Sequence, residues 1–289
     1  MRPGAPSEAQ TAVLTAVTLV AFAANSVLAR TALGSGAADP AGFTAVRLIS
    51  GAATLWLITR RRAHAPDQHS RGSWLSGWWL FLYAISFSFA YVSLSTGTGA
   101  LILFAMVQAT MIVSGLRHGE RPHALQWLGL VLAMGGLVLL VAPGLTAPSP
   151  FGCLLMATAG VSWGLYSLRG RGVSNPVRAT AGNFARTVPM AVAAAALLLP
   201  SLEISSRGLL LAVASGSLAS GIGYVFWYAA MRGLTTTRAS IVQLAVPVLA
   251  ALGGVVFLAE EPTLRLAVSG AAILGGVGMA VSASETRAE

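Results

Sequence analysis

An apolar run that is long enough to cross a bilayer and is closed by a Glu-x-Pro sequence occurs twice in this chain. One copy covers 239–262 and the other covers 100–122. Each is followed by a second apolar run that carries a Gly-Gly pair, at 275–276 and at 135–136. The offset between the copies is constant and about half the chain length, which indicates an internal duplication. The duplicated unit is a pair of membrane helices.

The prolines and glycines of this unit have separate structural uses. Pro122 and Pro262 stand where a helix can begin, because the first helical position does not need the missing N–H. The Gly-Gly pairs fall in the middle of a span, where the absence of a Cβ lets another backbone come close. We therefore expect these two spans to pack tightly against other helices.

Composition places the whole chain in the membrane. Of its 289 residues 55% are hydrophobic and only 9% are charged, with a mean hydropathy of +0.74; soluble domains carry about a quarter charged residues. The net charge of +9 comes from 18 arginines. These arginines stand mostly in short loops between apolar runs, which is typical of membrane topology and argues against nucleic-acid binding.

Ten apolar segments predict an all-α membrane protein with ten transmembrane helices. The run at 11–29 is too long for the core of a signal peptide and is interpreted as the first of these helices. The ten segments cover 11–29, 42–59, 74–94, 99–116, 124–141, 151–168, 178–199, 208–231, 239–258 and 264–281.

The distribution of arginine predicts the orientation of these helices. With the N-terminus in the cytoplasm, thirteen arginines are cytoplasmic, against Arg30, Arg207 and Arg265 on the other side. The positive-inside rule then places both termini in the cytoplasm. The thirteen are Arg2, Arg60, Arg61, Arg62, Arg71, Arg117, Arg121, Arg169, Arg171, Arg178, Arg232, Arg238 and Arg287.

Each half of the chain has five helices, and because five is odd the second half enters the membrane inverted. The predicted units are 1–144 and 145–289. Inverted repeats are common among secondary transporters and place a substrate site between the halves near the midplane. The symmetry also predicts two related gates.

Two arginines lie inside predicted spans, Arg47 and Arg186, at nearly equivalent places in the two halves. Ionisable groups at membrane depth are candidates for function. One interpretation is that both side chains reach out to the membrane interface. The other is that they bind a substrate carboxylate, which suits a guanidinium fork, or form part of a gate.

Acidic residues are absent from all ten segments, since each of the nine Asp and Glu residues stands in a loop or near a terminus. Proton-coupled export of organic cations commonly uses a carboxylate in the membrane. The sequence therefore disfavours that activity and favours neutral or zwitterionic solutes. The four histidines in loops and the single cysteine, Cys153, predict neither a metal site nor a disulfide within the chain.

Aromatic and amide side chains within the spans are the other candidates for substrate contact. A polar cavity with aromatic walls would satisfy buried amides and phenols; the alternative is that they only pack helices together or face lipid. The candidates are Trp163, Tyr166, Asn25, Tyr83, Tyr91, Gln108, Gln243, Tyr224 and Trp227. Pro189 and Pro247 interrupt spans and are candidate hinges.

The pattern resembles the drug/metabolite transporter superfamily, EamA type, over nearly the whole chain. The resemblance rests on Gly-Glu-Arg-Pro at 119–122, Ala-Glu-Glu-Pro at 259–262, and Ser-Trp-Gly-Leu-Tyr at 162–166 followed by Arg169. The first-half counterpart of the last motif, Ala-Asn-Ser at 24–26 followed by Arg30, departs from the usual Trp-Gly.

Within the superfamily the chain is similar to the aromatic amino acid exporters of the YddG type. The resemblance implies a central cavity lined by both halves and alternating-access export of amino acids or related metabolites from a bacterial inner membrane. It implies a monomer with a small-molecule substrate and no cofactor. A carrier of drugs or nucleotide sugars is the alternative within the superfamily. A membrane enzyme would need a cluster such as Ser with His, or an Asp-rich metal motif, at membrane depth; no His lies in any predicted span, so we do not expect an enzyme. The duplication with inverted topology argues against a passive structural role or a receptor.

Overall fold

The computed structural model describes residues 6–60, 72–117, 124–142, 147–170, 173–198, 202–234 and 242–285. Within these residues the chain forms ten helices, which confirms the predicted all-α architecture. They are α1 (Glu8–Gly34), α2 (Pro40–Arg60), α3 (Trp74–Ala90), α4 (Thr96–Arg117), α5 (Ala124–Val141), α6 (Pro150–Arg169), α7 (Pro176–Leu197), α8 (Ser206–Ala230), α9 (Ala245–Leu258) and α10 (Leu264–Glu285).

Caps fix where several helices begin. At α1 the Ser7 hydroxyl accepts a hydrogen bond from the Gln10 backbone N–H at 3.2 Å, and the Gln10 side-chain oxygen Oε1 accepts one from the Ser7 backbone N–H at 3.0 Å. This capping box satisfies two amides and starts α1 ahead of its apolar run. At α6 and α7 a proline occupies the first helical position, where its fixed φ suits a helix. The predicted start of α9 at 239 lies outside the described residues.

Several predicted boundaries fall elsewhere in the structure; α1, for example, continues to Gly34, past the predicted 29. The helix α3 ends at Ala90, before the predicted 94, and Tyr91 closes it through a backbone bond to Phe87. The helix α4 starts at Thr96, before the predicted 99. The sequence Thr96-Gly97-Thr98 is polar or small and carries no apolar signal, so hydropathy places the start of α4 too late.

The most closely packed helix pairs join one half of the chain to the other. The helices α2, α4 and α5 each pack on their own counterparts, α7, α9 and α10. The pair α3–α6 is matched by α8–α1, and α4–α6 is matched by α9–α1. Because every such contact has its symmetric partner, the halves form one bundle whose core lies between them.

Glycines allow the closest of these contacts, between α5 and α10. A Cβ on Gly136 would lie 2.9 Å from the Ala272 Cβ, and one on Gly276 would meet the carbonyl oxygen of Gly129. Their neighbours Gly135 and Gly275 have nothing within 4 Å. The expectation that the Gly-Gly pairs allow close packing is confirmed for one glycine of each pair.

The outside of the bundle is apolar, as a lipid-facing surface must be. Five helices, α1, α2, α4, α6 and α8, are long and apolar enough to span a membrane, and α3, α5, α9 and α10 contain shorter apolar stretches. In contrast, α7 buries the polar side chains Thr180, Asn183 and Thr187 against the rest of the bundle.

The helix ends gather at two faces of the bundle. At one face α1 ends near Arg30 and α4 begins; we call it the Arg30 end. At the other face α6 ends near Arg169 and α3 and α7 begin; we call it the Arg169 end. The counterparts α1 and α6 therefore run in opposite directions, which is the inverted arrangement that the odd helix count predicts.

Candidate functional site

A small pocket lies in the middle of the bundle, between the halves. Its free volume is about 30 Å³, enough for water but not for an organic solute. Five helices contribute its wall: α1, α3, α4, α6 and α8. The residues of this central pocket are Phe22, Asn25, Ser26, Tyr83, Phe87, Leu103, Phe104, Trp163, Ala219, Ser220 and Tyr224.

Aromatic rings gather around Trp163 and fill most of the hollow. The ring centroid of Trp163 lies 5.0 Å from that of Tyr83, 5.3 Å from that of Tyr224 and 5.4 Å from that of Tyr166. Such distances are typical of favourable aromatic pairs. We call these four residues, from α3, α6 and α8, the Trp163 cluster. A solute can occupy the pocket only if some of these rings move aside.

The Arg47 side chain lies beside this cluster and does not reach the membrane interface. Its residue is only 2% exposed. Its guanidinium carbon stands 5.2 Å from the ring centroid of Tyr83 and 4.9 Å from that of Phe87, and Nη2 donates to the Tyr83 hydroxyl at 3.1 Å. Within the described part of the chain, Nε and Nη1 have no hydrogen-bond partner. A buried cation in this state is costly, which favours a binding role for Arg47.

A short hydrogen-bonded chain connects Arg47 to α1 and α8. The Ser215 hydroxyl donates to the side-chain oxygen Oδ1 of Asn25 at 2.6 Å, and Nδ2 of Asn25 donates to the Tyr83 hydroxyl at 3.5 Å. Arg47 and Asn25 therefore both direct donors at the Tyr83 oxygen. This chain holds side chains from four helices and both halves at one point beside the pocket.

The middle of α8 departs from regular α-helix at this depth. Residues Ser215–Ile222 form a π-helix, which widens the helix and is frequent at functional sites. The π-helix carries Ser215 to Asn25 and brings Gly216 against the carbonyl oxygen of Arg47. Only glycine fits that contact. The run of small residues was visible in the sequence, but nothing in it distinguishes a π-helix from an α-helix.

A second cavity, of about 210 Å³, lies at the Arg169 end. Its wall is more polar and contains a chain of hydrogen bonds, from Asn183 Nδ2 to the Tyr166 hydroxyl at 3.4 Å, on to Thr180 at 3.4 Å, and on to the Tyr228 hydroxyl at 3.1 Å. Arg169 lines the same cavity and donates from Nε to the Ser76 hydroxyl at 3.1 Å. Tyr166 lines this cavity and Trp163 lines the central pocket, so these two stacked rings stand between the two spaces.

The Arg30 end is closed by an ionic contact. Both carboxylate oxygens of Glu260 accept the Thr96 N–H at 2.9 Å, and Oε1 lies 3.5 Å from Arg30 Nε. Thr96 is the first residue of α4, so the carboxylate also faces the positive end of a helix dipole. Arg30 in turn donates to the carbonyl oxygens of Tyr91 and Val92, at 3.0 and 2.9 Å. The Glu-x-Pro motif of the second half thus ties α9, α4, α1 and the end of α3 together.

The loops at the same end add a further closure. The Asp39 N–H donates to the Glu203 carbonyl oxygen at 2.8 Å, and the Glu203 N–H donates to the Asp39 carboxylate at 3.2 Å. An isolated antiparallel bridge joins Ala38 to Ile204. The loop that precedes α2 is therefore fastened to the loop that precedes α8, one from each half.

The predicted site residues fall into two groups. Four of them, Asn25, Tyr83, Trp163 and Tyr224, line the central pocket, and Tyr166 and Arg47 adjoin it. The others lie apart. Tyr91 is buried under the start of α4, where its hydroxyl donates to the Thr96 carbonyl oxygen at 3.3 Å. Trp227 packs on Phe22, with ring centroids 6.0 Å apart. Gln108 is buried within α4, and Gln243 precedes α9.

Arg186 and the two prolines also lie outside the central pocket. Arg186 donates to the carbonyl of Gly182 in its own helix at 2.8 Å, and its guanidinium stands 5.9 Å from the Trp74 ring centroid. Pro189 is inside α7 and exposed, whereas Pro247 occupies the first turn of α9 as described. A proline in a first turn interrupts no helical hydrogen bond. The hinge role of both prolines stays a prediction.

Several residues of the site were not selected from the sequence. Phe87 belongs to the stripe that also holds Tyr83 and Tyr91 at helical spacing, a signal that was available. Phe22 and Ser220 carry no comparable signal, since apolar or small residues occupy most positions of α1 and α8. The first-half motif residues 119–122 and the histidines His64, His69, His118 and His123 lie outside the described residues.

Comparison with known proteins gives a consistent result over both halves. The model of the EamA-like transporter family matches residues 10–142 and again residues 150–282. An uncharacterized protein of Pseudomonas aeruginosa is 46% identical over 274 residues, covering 93% of this chain and 94% of that protein. An uncharacterized transporter of Archaeoglobus fulgidus is 28% identical, over 83% of this chain and 86% of its own length.

Two further similarities bear on location and fold. The uncharacterized inner membrane transporter YedA of Escherichia coli is 25% identical over 122 residues, 42% of this chain and 39% of that protein. A solved crystal structure superposes with a TM-score of 0.66 at 24% identity and covers 94% of this chain and 99% of its own. At that identity the likeness shows the fold alone.

Proposed function

The chain belongs to the EamA-like transporter family of multi-pass membrane proteins, and from this premise we propose that it exports amino acids or related small metabolites across a bacterial inner membrane by alternating access. The observation that carries the proposal is the position of the central pocket. It lies between two inverted halves, between a closed Arg30 end and a cavity at the Arg169 end.

The chemistry of the pocket supports an amino acid or a similar metabolite as the solute. Aromatic rings of the Trp163 cluster offer flat apolar surface for a side chain. Asn25, Ser26 and Tyr83 offer hydrogen bonds beside it. Pockets for small molecules combine mostly apolar walls with a few convergent polar groups in this way.

The inequality of the two ends supports alternating access. The Arg30 end is held by Glu260 and by paired loops, while the Arg169 end carries a cavity of about 210 Å³. If the arginine distribution sets the orientation, the Arg169 end faces the cytoplasm, and this conformation is the one that would load a solute for export. The proposed units are 1–144 and 145–289, acting as a monomer with both termini inside the cell.

Counterflow in proteoliposomes tests the solute. Vesicles loaded with one unlabelled amino acid at a time would be supplied with a labelled trace of the same compound outside. We expect transient accumulation for a subset that includes amino acids with large apolar side chains, and none in protein-free vesicles. A full amino acid panel without counterflow, from protein that remains folded, would contradict the proposed function.

Accessibility labelling tests the topology. Single cysteines would replace Arg117 and Arg265, with Cys153 replaced by alanine. A membrane-impermeant thiol reagent added to intact cells should label the cysteine at 265 and not the one at 117. Equal labelling of both from one side would contradict the inverted arrangement in the membrane and the export direction that depends on it.

A further inference from the structure

The polar side chains in the wall of the central pocket would distinguish solutes by their charge. We infer that the pocket recognises the carboxylate of a small apolar acid or amino acid, with Tyr83 as the hydrogen-bond donor and Arg47 as the positive charge behind it. None of the described residues that line the pocket is acidic, so this lining offers no negative charge to the amino group of the solute. This inference rests on the proposed function in that it names the substrate class for the same pocket.

The directions of the hydrogen bonds at Tyr83 leave its hydroxyl proton available to a ligand. A phenolic hydroxyl has one proton to donate and two lone pairs to accept. The Tyr83 oxygen faces Nη2 of Arg47 at 3.1 Å and Nδ2 of Asn25 at 3.5 Å, and both nitrogens can only donate. Its own proton is then directed elsewhere, and no acceptor for it stands among the described residues. Because Tyr83 also lines the central pocket, that proton is available to an acceptor in the pocket.

Arg47 makes this donor selective for an anion. Donation from a guanidinium withdraws electron density from the phenol oxygen, so the Tyr83 hydroxyl becomes a stronger donor. Hydrogen bonds between charged partners are roughly twice as strong as neutral ones. Nε and Nη1 of Arg47 are buried without partners in the described part of the chain, so an arriving carboxylate would also supply the missing counter-ion.

The same pocket would disfavour a solute that carries only a positive charge. The acidic residues that the structure describes stand near helix ends or in loops, such as Glu260 at the Arg30 end. Aromatic rings can bind a cation through their faces, but Arg47 already lies against Tyr83 and Phe87. Its charge would repel a second cation at this short range.

Binding of three matched probes to the purified full-length protein in detergent tests the inference. Phenylpropionate carries only the carboxylate, phenylalanine carries both charges, and phenethylamine carries only the ammonium. Affinity would be measured by titration of tryptophan fluorescence and by the ligand-induced rise in Tm. We expect phenylpropionate and phenylalanine to bind within about threefold of each other and phenethylamine to bind roughly tenfold or more weakly, given the usual strength of a hydrogen bond to a charged group.

Variants test the two groups separately. Tyr83→Phe keeps the ring and removes only the hydroxyl; it should weaken phenylpropionate roughly tenfold and leave the neutral phenylpropanamide less affected. Arg47→Gln should weaken phenylpropionate at least as much. Arg207→Gln makes the same change at an exposed arginine beside the start of α8 and should bind phenylpropionate like the parent protein.

Three results would overturn the inference. They are binding of phenethylamine as tight as that of phenylpropionate, unchanged phenylpropionate binding in both Tyr83→Phe and Arg47→Gln, and no binding of any of the three probes to folded protein. Binding is measured without a membrane, so its outcome is separate from counterflow. Acid-selective binding without transport would remove only the proposed function, and transport with cation-selective binding would remove only the present inference.

Discussion

The two halves of the molecule share a scaffold but differ in chemistry, and their intramembrane arginines show this most clearly. Arg47 is buried beside the central pocket against Tyr83 and Phe87. Arg186, at the equivalent place in the second half, is less buried and bonds to the backbone of its own helix. Each half has an arginine at nearly the same place in its second helix, but only the first is placed against the pocket.

The surroundings of the two arginines explain the difference. Tyr83, which receives the hydrogen bond of Arg47, corresponds at the same offset to Ile222, and Asn25 corresponds to Gly164. At those two positions the second half therefore has neither a phenol nor an amide that could hold an arginine at the pocket. In return it supplies Trp163 and Tyr224, which the first half lacks. The pocket is complete only when the two unlike halves meet.

Exchanging each arginine for glutamine is the strongest test of this comparison. We expect Arg47→Gln to lower the initial rate of counterflow roughly a hundredfold, because a charge-assisted contact to the solute is lost. Arg186→Gln should cost far less, roughly threefold, since its contacts lie at the edge of the bundle. Rates would be measured in proteoliposomes at equal protein, with folding checked by gel filtration. Equal losses in the two variants would mean that the halves are functionally alike.

Removing the central ring should have the next largest effect. Trp163→Ala leaves a void between Tyr83 and Tyr224 and removes the largest apolar surface of the pocket. We expect the counterflow rate to fall about tenfold, in line with the loss of one aromatic contact and its burial. Trp127→Ala, the same change at an exposed position on α5, is the control and should transport like the parent protein. Unaltered transport by Trp163→Ala would remove this residue from the site.

Weakening the contacts that close the Arg30 end should moderately increase how often that end opens. Glu260→Gln removes the ion pair with Arg30 and weakens the cap on α4. We expect a cysteine placed at Ser26, in the Cys153→Ala background, to react roughly fivefold faster with a reagent supplied from the Arg30 end, since a partly buried ion pair is worth about 1 kcal/mol. A rate unchanged by Glu260→Gln would show that this contact does not hold the end closed.

The smallest effect is expected where the halves are alike. Gly136→Ala and Gly276→Ala each place a methyl group against the backbone of the partner helix, and overpacking of this kind typically costs about 1–3 kcal/mol. Both should lower the Tm in detergent by a few degrees, as expected for a change of that size. Their neighbours provide controls, because Gly135→Ala and Gly275→Ala face open space and should leave the Tm unchanged. A loss in only one half would show that the scaffold too has diverged.

The parts of the fold that the sequence predicts are those that depend on length and repetition. Apolar runs of about 20 residues predict helices, since the other conformation that satisfies the backbone in lipid, a closed β-barrel, uses strands of about half that length. The fixed offset from Pro122 to Pro262 revealed the duplication. Four of the eleven residues that line the pocket could also be anticipated, because Asn25, Tyr83, Trp163 and Tyr224 are polar or aromatic residues with hydrogen-bonding groups.

The remaining features depend on helix rotation, which an apolar helix hardly reveals. When nearly all positions are apolar, periodicity does not show which face of a helix points inward. The sequence therefore could not show that Arg47 lies beside the pocket and Arg186 does not. Nor could it separate Gln108 and Tyr91 from the residues that line the pocket. The π-helix of α8 is set by its contacts with Arg47 and Asn25. The closure by Glu260 joins residues far apart in the chain and is visible only in three dimensions.

The positive charge of the Arg47 guanidinium would also make the conformational cycle of the protein depend on membrane voltage. With no acidic side chain beside it in the described structure, the empty site carries a net positive charge; a bound carboxylate without an ammonium group would cancel that charge, whereas a zwitterionic amino acid would leave it unchanged. A full elementary charge that crosses 100 mV exchanges about 2.3 kcal/mol with the field. In a cell whose interior is negative, the voltage would therefore draw the empty, positively charged carrier back to the cytoplasmic side, which would favour net export of a simple carboxylate over exchange.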